Sequence, residues 1–349
     1  MGSERCRPSD LPELFDLFAS CYPGNPRLRE VDYFNWQYRD HMGRDGDRYT
    51  FLLYRSKGRI RSFLGYVPVE VVADSGVTSG CFLQNWMSLD KDGSGWQLFT
   101  QVAADFDVLL MMGTTPSAEA LYSALNLPVC RLPRWVGIVE PAEVLPFFAS
   151  PSPRLERQLH HDVLPRPILT SSVERIARFP EELRPDPARN AGATVFVSRR
   201  GSYLNWRYAD APRHSYELLK LGSEGYLVFR LEQVTGSAST VVRVMEWVVP
   251  EAEDEAALAA ILSETRSRRP VLIDFFTTSA SLGNRLAAIG FIPGDRALER
   301  PVPFLFRPLH YAGEIGFALD RRPHFRSKAI DLSTWYLTKG DGDLDRVKL

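Results

Sequence analysis

One seven-residue phrase occurs twice, and this repetition constrains the fold more than any other feature. Asp32-Tyr33-Phe34-Asn35-Trp36-Gln37-Tyr38 returns as Ser202-Tyr203-Leu204-Asn205-Trp206-Arg207-Tyr208. Four positions are identical, and the exchanges of Phe34 for Leu204 and Gln37 for Arg207 are conservative. The offset, 202 − 32 = 170 residues, is about half of the 349-residue chain. Solenoid repeats run about 20–50 residues, so this spacing predicts a duplicated domain instead. The phrase is too aromatic for a free surface. It predicts a short packing helix in which Trp36 and Trp206 bury large areas and the Asn and Tyr polar atoms find partners. Arg207 against Gln37 is the asymmetric position, a candidate to face an anionic acceptor.

The rest of the chain keeps the same order. In the first half, residues 49–54, 60–72 and 81–89 read as strands, with Lys57-Gly58 as a hairpin turn. Asp90-Lys91-Asp92-Gly93-Ser94-Gly95 is a glycine-bearing loop, and apolar residues at 98, 99, 102 and 103 then predict a helix. Residues 108–112 form a continuous apolar run, as for a strand buried on both faces. Thr115 caps a further helix through Tyr122, and residues 134–139 close the half as a strand. In the second half, 216–221, 226–230, 240–249 and 271–278 read as strands and 282–291 as a helix, after a short helix at Val173–Ile176. The offset drifts only to 247 − 86 = 161, as small loop deletions produce. The expected organisation is α/β (α+β): two tandem domains, each a mixed, mostly antiparallel sheet flanked by helices. The expected bounds are 1–145 and 166–310, joined by a linker at 146–165. Residues 311–349 read as a tail outside both repeats, strand-like over 335–339 and then ending in a solvated acidic terminus over 340–346. Its alternating aspartates lack the Gly and Glu of a calcium loop, so no metal is expected.

Composition narrows the function classes. The formal charge of −1 gives no basic excess for nucleic acid or an anionic membrane. No apolar run approaches the roughly 18–20 residues needed to span a bilayer. The four cysteines are scattered without metal or redox spacing, which fits reduced thiols in a cytoplasmic protein.

The chemistry is expected where a strand runs through a glycine loop into a helix, since the unpaired N–H groups and positive dipole end suit a phosphate. This order, with the motifs at 90–95 and 118–127, resembles the GNAT superfamily of acyltransferases. The doubled chain resembles tandem GNAT proteins linked to polysaccharide biosynthesis. That family carries Arg/Gln-x-x-Gly-x-Gly/Ala on the coenzyme A pyrophosphate. Here Gly93 and Gly95 match, and Asp90 stands where Arg or Gln is usual. The helix motif Ala-x-x-Leu-Tyr matches Ala118-Glu119-Ala120-Leu121-Tyr122. The resemblance implies an N-acyltransferase using acetyl-CoA or another acyl-CoA, with Tyr122 protonating the departing thiolate. It implies cofactor contacts from Asn85, Trp86 and Met87 of the central strand, from Lys91, Asp92, Gly93, Ser94, Gly95 and Trp96 of the loop and helix, and from Ser117. Gln84 and Arg207 are candidates for the acceptor, a small amine or nucleotide-linked amino sugar. Glu70, His41 or a water chain are candidates for the base. In the second half Val249 to Glu255 replaces the glycine loop with acids, and Leu286 stands opposite Tyr122. The donor is therefore expected in the first half and an acceptor-binding or structural role in the second. Two other readings stay open: a Fem-type aminoacyl transferase using aminoacyl-tRNA, and a non-catalytic GNAT-like binding protein.

Overall fold

The computed structural model describes residues 2–39, 48–74, 76–90, 92–148, 150–212, 214–294, 301–307, 309–310, 315–321 and 331–342. In the first half β1 (Ser3–Arg5), α1 (Leu11–Cys21) and α2 (Val31–Tyr38) precede the hairpin of β2 (Phe51–Ser56) and β3 (Arg59–Ala73). Lys57 and Gly58 both take positive φ between these strands, the backbone a two-residue hairpin turn needs. Then come β4 (Gly76–Ser88), α3 (Ser94–Asp105), β5 (Val108–Met112), α4 (Pro116–Ala124), β6 (Val129–Arg131) and β7 (Arg134–Ile138). Short helices α5 (Pro141–Val144) and α6 (Pro153–His161) lead to β8 (Val173–Ile176), α7 (Pro187–Ala191), β9 (Val195–Val197) and α8 (Gly201–Leu204). The second half continues with β10 (Glu217–Leu221), β11 (Gly225–Gln233), β12 (Thr240–Val248), α9 (Asp254–Thr265), β13 (Pro270–Phe276), α10 (Ala280–Ala288) and β14 (Ile292–Pro293). The hairpin of β15 (Leu305–Phe306) and β16 (Leu309–His310) precedes β17 (Gly316–Arg321) and β18 (Trp335–Tyr336). Val173–Ile176, expected as a helix, is the edge strand β8, held by β10.

Two mixed sheets carry the fold. One runs β1-β2-β3-β4-β5-β17-β6 and the other β8-β10-β11-β12-β13-β7-β14. In each, the one parallel pair of the seven lies at the centre, β4 with β5 and β12 with β13. Each sheet takes one strand from the far half. β7, expected to close the first sheet, instead lies antiparallel between β13 and β14. In return β17, expected in a tail outside both repeats, lies between β5 and β6. The reason is burial: Phe317 and Leu319 are 1% exposed and join the first half's core, while Val136 and Ile138 are fully buried in the second. A further link runs through β9, which pairs with β3 on one side and β18 on the other.

The doubled phrase sits at the join. Trp36 and Trp206 stack with centroids 5.2 Å apart and planes at 20°. Each indole N–H donates to the other's backbone carbonyl, Trp36 Nε1 to Trp206 O at 2.7 Å and Trp206 Nε1 to Trp36 O at 2.8 Å. The first copy is the regular helix α2, whereas the second leaves α8 through a π-turn at Asn205–Ala209. Asn205 bonds both backbone groups of Phe179, while Asn35 accepts from Tyr49 Oη. The first sheet therefore has two unlike faces. α3 and α4 cover one through Leu83, Phe99 and Tyr122, and α1, α2 and the second half cover the other through Phe82, Val67 and Trp206.

Replacing Trp36 by Ala removes the stacked pair and takes the indole donor away from the buried Trp206 carbonyl. A loss of about 3–5 kcal/mol in unfolding free energy is expected by denaturant titration, with both halves melting together.

Candidate active site

The parallel ladder of β4 and β5 runs from Gly80 opposite Val108 to Leu83 opposite Met111 and then stops. β4 continues alone to Ser88, and its register against β3 shifts between Gly65–Gln84 and Phe63–Met87. Asn85 sits in this bulge with φ +50°. The β4 edge that faces β5 therefore has no ladder partner over Gln84–Met87, so its main-chain groups are open to a ligand.

Above this splay, Gly93 starts α3 at φ +80°, a left-handed conformation that glycine adopts without strain. Asp92 accepts the Ser94 N–H at 2.9 Å and also the Ser94 hydroxyl. These bonds hold the Asp92 carboxyl below the usual range. Asp90 turns away and pairs with Arg61 through both guanidinium nitrogens. The amides of Gly95 and Trp96 lie in the first turn, where a helix supplies no internal acceptor. The Trp86 indole bridges α3 to α4: it stacks on Phe99 at 5.2 Å and Tyr122 at 6.3 Å, and its N–H donates to Gly95 O. Trp96 stacks on the far side of Phe99. Tyr122 is 5% exposed, and burial pushes its hydroxyl up to about 12. Ser117 is exposed in the first turn of α4. The structure thus gathers Asn85, Trp86, Met87, Asp92, Gly93, Ser94, Gly95, Trp96 and Tyr122 around one splay.

Gln84 and Arg207 meet on the opposite face. They line a cavity of about 10 Å³ between the halves, together with Trp36, Gln37, Tyr203 and Asp341. Gln37 Nε2 donates to Gln84 Oε1, and Asn85 Nδ2 donates to Tyr38 Oη, so this wall is tied to the β4 bulge. Arg207 donates to Gly340 O at 2.7 Å and Gly342 O at 2.9 Å, with its guanidinium over Trp36. The expectation that the chain ends in a solvated acidic terminus from Gly340 on is corrected here for residues 340–342, which are buried like the strand-like stretch 335–339 before them. Asp341 accepts from Arg199 at 2.7 Å and from the Thr338 N–H at 2.8 Å. Arg199 also pairs with Glu246, which accepts from Tyr208 and Tyr336. Burial raises the Glu246 carboxyl against the pull of Arg199. Gly340 permits this packing, because a Cβ there would lie 2.2 Å from Tyr208 Oη.

Glu70 does not join either group. It lies on β3 five residues beyond Gly65, about 17 Å along the strand, and pairs with Arg200. Lys91 and His41 lie outside the described residues. Sequence reasoning misses Gln37 and Tyr38, which it reads only as part of a packing helix, whereas the resemblance to tandem GNAT-like proteins leaves the phrase that holds Asp341 open to a substrate-lining role. In the second half the corresponding splay is filled: Arg285 bonds Asp254, Asn190 O and Val249 O, and Trp247 is fully buried with its N–H on Asp254.

This architecture is the GNAT fold. The chain is similar to a probable N-acyltransferase from Enterococcus faecalis V583 (10% identity, TM-score 0.55, covering 92% of this chain and 72% of the other). It is also similar to a GCN5-related N-acetyltransferase from Anabaena variabilis (10%, 0.56, 91% and 72%) and to Saccharomyces cerevisiae N-myristoyltransferase with bound myristoyl-CoA (12%, 0.53, 91% and 79%). No protein-family model matches the sequence, and no curated protein matches it. Among the described residues no cluster suited to a metal ion is present, and no helix is long and apolar enough to cross a membrane.

The α3 turn fits a coenzyme A pyrophosphate. It already accepts an anion, the Asp92 carboxylate, at the helix N-terminus. A phosphate bound there displaces this internal competitor. Asp92→Ala is therefore expected to lower the calorimetric Kd for coenzyme A by about tenfold, while costing about 1 kcal/mol of helix capping in a thermal melt.

Proposed function

We propose that the chain is an acyl-CoA-dependent N-acyltransferase, with acetyl-CoA the simplest donor and an amine acceptor such as a nucleotide-linked amino sugar. The observation that carries this reading is Tyr122, whose ring is buried beside the β4–β5 splay and whose hydroxyl makes no hydrogen bond among the described residues. A raised hydroxyl keeps its proton at every pH below about 12, so it stays available to donate. The bound coenzyme supplies a thioester-activated acyl group. The turn at Gly93–Trp96 holds its pyrophosphate, an open main-chain N–H over Asn85–Met87 donates to the thioester carbonyl oxygen, and Tyr122 protonates the departing sulfur. Ser117, exposed in the first turn of α4, borders the coenzyme in this reading. The acceptor approaches from the other face of the sheet, past Gln84 and Arg207.

The doubled phrase and the matching strand orders support a tandem duplication, with the first half (1–145) holding the donor and the second (166–310) shaping the acceptor side across the 146–165 linker. Beyond them, Gly316–Arg321 complete the first sheet, and Asp341 and Gly342 wall the cavity. A place in cytoplasmic polysaccharide biosynthesis belongs to the same reading and rests on sequence resemblance alone. Asp90 and Asp92 at the phosphate turn favour a second reading, a Fem-type transferase whose donor is aminoacyl-tRNA.

Two measurements separate these readings. Calorimetric titration with acetyl-CoA is expected to show binding, and absence of binding contradicts the first reading. Tyr122→Phe is expected to lower kcat about 10²-fold in a thiol-release assay with acetyl-CoA binding unchanged. Unchanged kcat removes Tyr122 from the chemistry.

A further inference from the structure

A cleft of about 430 Å³ opens at the β1 edge of the first sheet, against Gln101 and Asp105 at the end of α3 far from the glycine turn. Strand alternation sets its chemistry. The pairing of β1 with β2 runs on past Arg5, with the Cys6 N–H on Phe51 O and the Tyr49 N–H on Cys6 O. Cys6 and Tyr49 are buried in the core on the α1 side, so their neighbours Arg5, Arg7 and Arg48 line the cleft on the α3 side. Leu52, which pairs with Arg5, and Tyr66 share that side and form a buried floor. Two acids reach the rim. Glu4 is held by Arg55 at 2.8 Å, which leaves Asp105 against three guanidinium groups among the described residues. Arg7 and Arg48 are exposed, and their side chains make no hydrogen bond or ion pair among the described residues. Tyr66 is 5% exposed; its hydroxyl accepts from Arg5 Nη2 at 3.2 Å and gives its own proton to no described residue.

We infer that this cleft binds the phosphate group of a small phosphorylated molecule, held by Arg7 and Arg48 with the Arg5–Tyr66 pair behind them. A guanidinium fork meets phosphate oxygens two at a time, and the Tyr66 O–H adds a neutral donor from a fixed position. A phosphate monoester carries about −1.5 to −2 charges near pH 7, which offsets the guanidinium excess, whereas a carboxylate supplies only one. The volume falls within the roughly 300–1,000 Å³ of small-molecule pockets. The arginines form one patch on a chain of formal charge −1, not the long basic stripe that a nucleic-acid backbone needs. Residues 101–105 lie 7 to 11 positions along α3 from Ser94, about 10–16 Å from the glycine turn. The cleft is therefore separate from the splay and from the cavity between the halves, and its ligand is independent of the acyltransferase reading.

The test is calorimetric titration of the full chain with inorganic phosphate and, in parallel, with acetate, at an ionic strength held constant with sodium chloride. Phosphate is expected to bind at least about fivefold more tightly than acetate. Arg7→Gln and Arg48→Gln each remove one fork from an exposed position, and each is expected to weaken phosphate binding at least about fivefold with an unchanged thermal melt. Failure of the wild type to prefer phosphate overturns the inference. Undiminished binding by both variants also overturns it, because the ion then sits elsewhere, as on the α3 turn. A single-stranded oligoribonucleotide is the remaining arm: if it displaces phosphate at a far lower concentration of phosphate groups, the arginines belong to a nucleic-acid surface and the small-molecule assignment falls. Phosphate binding in a chain that binds no acetyl-CoA preserves the inference and removes the acyltransferase reading instead.

Discussion

The reciprocal bond between Trp36 and Trp206 is the contact on which the two halves depend. A stacked indole pair buries a large apolar area, and each N–H finds the partner a buried donor needs, here the main-chain carbonyl of the other tryptophan. The pairing is self-complementary, with the same residue in each half giving and receiving the same bond. That geometry sets one half against the other in a single orientation. The π-turn at Asn205–Ala209 breaks the symmetry just after it begins, and the break brings Arg207 onto the backbone of Gly340 and Gly342.

Strand exchange makes this orientation permanent. With β7 in the second sheet and β17 in the first, neither sheet is complete without chain from the other half. The end of the chain is then carried over the join, where its carboxylate at Asp341 meets Arg199 and lines the cavity. Buried ion pairs of this kind add little net stability, because desolvation offsets most of the attraction. Their effect here is positional, holding Thr338–Gly342 against the face of the first sheet. The β4–β5 splay and the inter-half cavity thus lie on opposite faces of one strand, β4, with its bulge between them.

Much of the local structure was legible in the residues themselves. The glycine loop, the apolar run at 108–111 and the Thr115 cap signal their elements through short-range rules, and Thr115 does accept from the Ala118 N–H. The doubled phrase signalled a packing role, although nothing in it revealed that the two copies pack on each other. Strand exchange was illegible because β7 reads the same whichever sheet it joins: its buried run Val136–Ile138 needs neighbours, and the sequence does not name them. The end of the chain misled for a related reason. Asp341 is a charged residue that joins a buried network with Arg199 and the Thr338 N–H, and composition alone assigns an acidic, glycine-bearing stretch to solvent. Glu70 was chosen by residue type on a strand whose length carries it away from the bulge.

The central claim is that one strand, β4, separates a donor splay on one face from an acceptor cavity on the other. A crystal structure of the protein grown with acetyl-CoA tests it most directly. The account predicts the pyrophosphate on the amides of Gly95 and Trp96, with the Asp92 carboxylate displaced and the thioester sulfur beside Tyr122. Coenzyme bound at the β12–β13 splay of the second half, or inside the cavity of Gln37 and Asp341, would contradict it.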